Sequence, residues 1–168
     1  MNKVNIDKKI FWTQLAVVAL FVILITIHMV YDLSNNTFNA NVRALNAGHA
    51  VGSSDYQTFV EEVINQTIKT WLVQYIVSVI IVFMFGFYIY LALNKVQVGY
   101  LFIVIWLFVW FGFAIANPIL NKRITAFDVI EFIMFAVILI SMFFIANDIY
   151  NAKRYKRMAD VKTQIRKI

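Results

Sequence analysis

Four stretches of roughly twenty residues, 10–31, 71–93, 98–117 and 129–149, run almost free of charge through this chain. Hydrocarbon offers no water to backbone N–H and C=O groups, so such a segment crosses a bilayer only as a helix that satisfies those groups internally. The expected fold class is therefore all-α, an integral membrane bundle of four transmembrane helices forming one domain. Aromatic residues mark the span ends, as they do at water boundaries: the first run opens on Phe11 and Trp12 and closes on Tyr31. The third passes Trp106 and Trp110 and is expected to end near Asn117, because Pro118 lacks the N–H that a continuing helix would use. Lys3, Lys8 and Lys9 precede the first run in the manner of a cleaved leader, but signal h-regions cover only about 7–15 residues, so retention as a span is expected.

Composition agrees with this reading and removes several functions. Of the 168 residues 62% are apolar and 14% charged, against about 25% charged in an ordinary soluble domain. Disorder does not fit such a surplus of large apolar residues. With no Cys, disulfide scaffolds, thiolate zinc sites and thiol catalysis are excluded. Gly-rich phosphate loops, HExxH and GxSxG are absent as well, so no cofactor, no metal and no enzymatic role are expected.

The basic residues set an orientation. Of the 15 Lys and Arg, only Arg43, Lys69, Lys122 and Arg123 fall on one side of a four-span topology, and the other eleven flank the opposite side. The positive-inside bias then puts both termini in the cytoplasm and residues 32–70 outside. An Ile-, Phe-, Asn- and Lys-leaning composition without Cys suggests a bacterial plasma membrane. The net charge of +6 is thus an orientation signal, and nucleic acid is not an expected partner.

Two amphipathic segments flank the spans. Residues 32–70 divide at Gly48 and Gly52 into two helix-prone parts, which implies a small extracytoplasmic helical hairpin. Phe38, Val42 and Leu45 recur at helical spacing in the first part. In the second, Ser54 and Gln57 read as a capping box, and Val60, Val63, Ile64 and Ile68 form a stripe running on into Trp71 and Leu72. Such a hairpin packs on itself and the headgroups, or serves as a recognition surface. Residues 150–168 form a basic cytoplasmic tail in which Met158, Val161, Ile165 and Ile168 share one face among Lys153, Arg154, Lys156, Arg157, Lys162, Arg166 and Lys167. A helix of this kind lies on anionic lipid headgroups, docks on a partner, or simply anchors topology.

Polar groups within spans are costly and are therefore functional leads. His28, Gln74, Asn117 and Glu131 each fall within about three or four residues of one end of a span, all at a similar depth. Facing one another they would make a polar cluster for a ligand or proton. At that depth they also reach water by snorkelling. Gln14, Ser78 and Ser141 are candidate interhelical hydrogen-bonding groups, and Asp148 is a candidate partner for Lys153 or Arg154.

The leading functional expectation is an accessory, regulatory or immunity-type membrane protein that packs against a membrane-protein partner or a second copy of itself within the lipid bilayer. The alternatives are a small transporter or channel using the polar cluster, and a membrane-embedded enzyme acting on a lipid-linked substrate.

Overall fold

In the computed structural model the described residues are 4–121 and 124–165, with side chains described for 4–119 and 124–158. Arg166, Lys167 and Ile168 of the expected tail lie outside them, as do the side chains of Val161, Lys162 and Ile165. Among the described residues the chain is all-helical and without strands: α1 Lys8–Ser34, α2 Asn36–Asn46, α3 Ser54–Asn94, α4 Tyr100–Asn121 and α5 Ala126–Ile165. Four helices are long and apolar enough to cross a membrane, over Lys8–Ser34, Ser54–Asn94, Tyr100–Ile119 and Ala126–Met158, which supports a multi-pass membrane protein. At about 1.5 Å per residue, α3 with 41 residues and α5 with 40 are each close to 60 Å long, about twice the hydrocarbon thickness. The second arm of the expected hairpin and the second span are thus one helix, and so are the fourth span and the helical part of the tail.

Two expected helix ends shift. Pro118 lies inside α4, which runs on to Asn121. A proline within the last turn forfeits one backbone bond, and membrane helices accommodate that loss. The cap of α3 is Ser53, not Ser54: the Ser53 hydroxyl accepts the Tyr56 N–H at 3.1 Å, so the expected Ser54/Gln57 box is displaced by one residue. Adjacent serines offer two equivalent starts, and the preceding turn, with Gly52 at φ 87°, selects the first.

The chain divides into two compact units. One comprises Met1–Phe21 and Val82–Ile168. In it each helix buries a single stripe: Phe11, Gln14, Val17 and Phe21 on α1; Val82, Phe85, Ile89 and Ala92 on α3; Phe102, Trp110, Ala114 and Asn117 on α4; Met134, Ile138, Met142, Ile145 and Ile149 on α5. Steps of three and four keep such residues on one face. The ring of Trp110 meets Phe21 and Phe85 edge-on, with centroids 5.3 and 5.7 Å away, an arrangement that suits aromatic quadrupoles. Before α1, the chain pairs with the α3–α4 connection. Val4 and Val98 exchange backbone hydrogen bonds of 3.0 and 2.8 Å. The Asp7 carboxylate accepts the Lys9 N–H at 2.7 Å and so caps α1.

Val22–Ile81 make the second unit, which contains α2. Only Asn35 separates α1 from α2. Backbone bonds from Asn35 to Tyr31 and from Asn39 to Asn35 carry the helical pattern across it. Gly48 and Gly52, both at positive φ, then turn the chain into α3, as only glycine does without steric cost. The face α2 buries is its small one: Asn36, Ala40 and Ala44. Asn36 Nδ2 donates to the Ile64 carbonyl at 3.2 Å, and the Tyr56 hydroxyl donates to Asn41 Oδ1 at 2.9 Å. The Phe38/Val42/Leu45 stripe, which hydropathy would turn inward, faces out: Phe38 is 69% and Leu45 52% exposed, while Ala40 and Ala44 are fully buried. Alanines let two helix backbones approach closely, and their amide neighbours supply bonds that Phe and Leu lack. On α3, Trp71 keeps the expected inward position but Ile68 and Leu72 turn outward.

This packing is testable by overfilling it. Ala44→Leu is expected to destabilise the α2–α3 pairing by about 1–3 kcal/mol and to raise protease cleavage at 47–53, whereas Phe38→Ser leaves stability within about 0.5 kcal/mol. Limited proteolysis and thermal unfolding of the detergent-solubilised protein measure both.

Candidate functional site

Three of the four polar residues expected within the spans are buried by protein. His28, Asn117 and Glu131 lie on the inward stripes of their helices, and Gln74 is half-buried. Their side chains therefore point into protein rather than to the lipid boundary. His28 and Gln74 belong to the unit Val22–Ile81, and Asn117 and Glu131 to the other. Within its own unit, His28 places Nε2 at 3.7 Å from the Asp32 carboxylate, one turn along α1. Its ring centroid lies 4.9 Å from that of Trp71, edge to face. In the same unit the Thr26 and Tyr75 hydroxyls share a hydrogen bond of 3.1 Å.

Glu131 is accompanied by a carboxylate that the span-by-span reading passed over. Asp128, fully buried, lies in the first turn of α5: its Oδ2 accepts both the N–H and the hydroxyl of Thr125, each at 2.6 Å, and its own N–H lies 3.4 Å from the Thr125 hydroxyl oxygen. This is a reciprocal cap of the Ser/Thr-x-x-acid kind, and Thr125-Ala126-Phe127-Asp128 is its signature in the sequence. Glu131 follows three residues later on the same face. One oxygen of each carboxyl, Asp128 Oδ1 and Glu131 Oε2, is buried without a hydrogen bond. The start of α5 thus carries two inward-facing acids of which one is held by the cap. Among the described residues no three His, Asp or Glu side chains gather as a metal-ligand set.

The expected interhelical hydrogen bond is made at the other end of the same unit. Gln14 Nε2 donates to Ser141 Oγ at 2.9 Å, with Met142 Sδ at 3.8 Å, and the Ser141 hydroxyl donates to the Ile138 carbonyl at 2.8 Å. Gln14 Oε1 has no partner.

The tail residues Lys153, Arg154, Lys156, Arg157 and Met158 are exposed along α5. Asp148 forms no ion pair with Lys153 or Arg154 among the described residues. Positions five and six further along a helix point about 140° and 120° away, and only those three or four away share a face.

The Gln14–Ser141 pair yields a discriminating mutation set. Ser141→Ala strands the buried Gln14 amide and is expected to cost about 1–3 kcal/mol. Gln14→Leu removes donor and orphan oxygen together and is expected to cost less than Ser141→Ala. Equilibrium unfolding in mixed micelles, read as a double-mutant cycle, is expected to give a coupling near the membrane average of about 0.6 kcal/mol. Comparison with known proteins finds no family model, no curated protein and no solved structure that matches this chain.

Proposed function

We propose that this chain is an accessory, regulatory or immunity-type protein of a bacterial plasma membrane, acting by packing against another membrane protein and not by catalysis. The observation that carries this reading is the inverted face of α2. A helix that buries alanines and leaves Phe38, Val42 and Leu45 outward presents an aromatic and aliphatic row to whatever lies beside it. Aromatic anchors of this kind dominate binding energy at protein interfaces. In the proposed orientation both termini are cytoplasmic, where eleven of the 15 basic residues sit, and the hairpin with its apolar row is extracytoplasmic. The exposed cations of α5 from Lys153 to Arg157 then lie against anionic headgroups, which hold such segments by about 1 kcal/mol per charge. The tail thereby fixes the helix end at the surface while the hairpin engages the partner.

A second reading, a small transporter or channel, draws support from the buried Asp128 and Glu131 carboxyls with their unbonded oxygens, since intramembrane acids mark proton and ion paths in other proteins. It predicts flux in proteoliposomes that Glu131→Gln and His28→Ala abolish; no flux in the unaltered protein rejects it.

The leading proposal is tested in native membranes. A photo-crosslinking residue at position 38 or 45 is expected to capture a discrete membrane-protein partner, and one at exposed Glu61 is not. Phe38→Asp with Leu45→Asp is expected to lower partner recovery by about tenfold or more without lowering expression. Capture of lipid alone at both positions, with unchanged recovery in the double variant, would reject the proposal.

A further inference from the structure

A groove of about 520 Å³ runs between the start of α1 and the middle of α5. Its walls change character along its length. Asp7, Lys9 and Asp148 stand at one end, where the apolar runs of both helices give way to polar sequence. Ile10, Val137, Ile140 and Phe144 line the remainder. The two hydroxyls in that apolar part are already engaged: Thr13 Oγ1 donates to the Lys9 carbonyl at 3.0 Å, and Ser141 Oγ bonds both Gln14 and the Ile138 carbonyl. They make no demand for water, so the deeper groove is chemically fit for hydrocarbon.

Length agrees with one leaflet. From Val137 to Asp148 the rise along α5 is roughly 16 Å, and half of a hydrocarbon core of about 30 Å is about 15 Å. The charged end therefore falls at headgroup level when the apolar end reaches the midplane. The charges are also specific in sign. Asp7 uses Oδ1 to cap α1 through the Lys9 amide, and neither Asp7, Lys9 nor Asp148 forms an ion pair among the described residues. Two carboxylates and one ammonium at the mouth complement a head that is itself zwitterionic, with its cation outermost and its phosphate adjacent. A primary ammonium donates three hydrogen bonds to such acceptors. A quaternary ammonium donates none, and an anionic glycerol head meets two like charges.

We infer that this groove is a binding site for an amine-headed phospholipid, its ammonium held by Asp148 and Asp7, its phosphate by Lys9, and one acyl chain laid along Ile140 and Phe144. The site requires only that α1 and α5 span the bilayer and is independent of the proposed partner role.

The test is native mass spectrometry of the full chain released from mild detergent containing equal amounts of dioleoyl phosphatidylethanolamine, phosphatidylglycerol and phosphatidylcholine. The expected result is one retained phosphatidylethanolamine, about tenfold over either competitor, as the loss of one charge-assisted contact implies. Asp148→Asn, at an exposed position, is expected to bring its retention down to theirs. Ile140→Trp, which fills the groove, is expected to remove the bound lipid, and Leu139→Trp, on the exposed surface beside it, to leave it in place. Equal retention of the three lipids, indifference to Asp148→Asn, or a lipid-free dimer of the chain would each overturn the inference.

Discussion

Hydrocarbon supplies neither hydrogen-bond donors nor acceptors, and most of this structure follows from that constraint. Backbone groups are satisfied by making every span a helix. Side-chain groups are handled by placing them on the stripe that faces protein: Gln14 on α1, Asn117 on α4, and Asp128, Glu131 and Ser141 on α5 are all buried. Apolar side chains carry no such requirement, and Ile133, Ile140 and Phe143 turn outward on α5. The usual pressure to bury apolar side chains is thereby relaxed, because lipid is as oily as the interior and burying Leu or Phe between helices gains little. What holds helices together in such a medium is close packing, as at the Phe21, Phe85 and Trp110 rings, and the few hydrogen bonds that would otherwise go unmade.

That same logic explains what was legible in the sequence. The spans could be read because twenty consecutive apolar residues have one stable backbone arrangement in lipid. The inward bias of His28, Asn117 and Glu131 was legible only as depth, since depth along a helix does not specify azimuth, and the side they face is set by neighbours far away in the chain. Asp128 was overlooked as a site because it sits at a helix start, where an acidic residue is ordinary; its importance lies in the pairing with Thr125 and in Glu131 one turn on. The Val4–Val98 pairing has no local signal at all, because it joins two short irregular segments that are distant in sequence.

The facing of α2 is ambiguous in the sequence for a different physical reason. Its 11 residues carry two plausible inner faces, one of Phe38, Val42 and Leu45 and one of Asn36, Ala40 and Ala44. Transfer free energy alone favours burying the first. The second wins because Asn36 reaches the Ile64 carbonyl and Asn41 accepts from Tyr56, and because a helix lined with alanine admits a closer neighbour. Periodicity identifies a stripe without saying whether the stripe is core or interface. For a short helix with polar residues able to bond across, the apolar stripe is the one left over.

A leftover stripe also bears on what kind of protein this is. Several buried polar side chains are matched within the chain: Asp128 joins the cap of α5, Gln14 donates to Ser141, and His28 sits against Asp32 and Trp71. Other groups are left over: the buried oxygens Asp128 Oδ1, Glu131 Oε2 and Gln14 Oε1, and on the outside the apolar row of α2, the cations of α5 beyond Asp148, and a groove whose charged side chains form no ion pair among the described residues. Of the outward features, the cations and the groove have the chemistry of a lipid contact and the apolar row that of a protein contact, and on these surfaces the proposed accessory role rests.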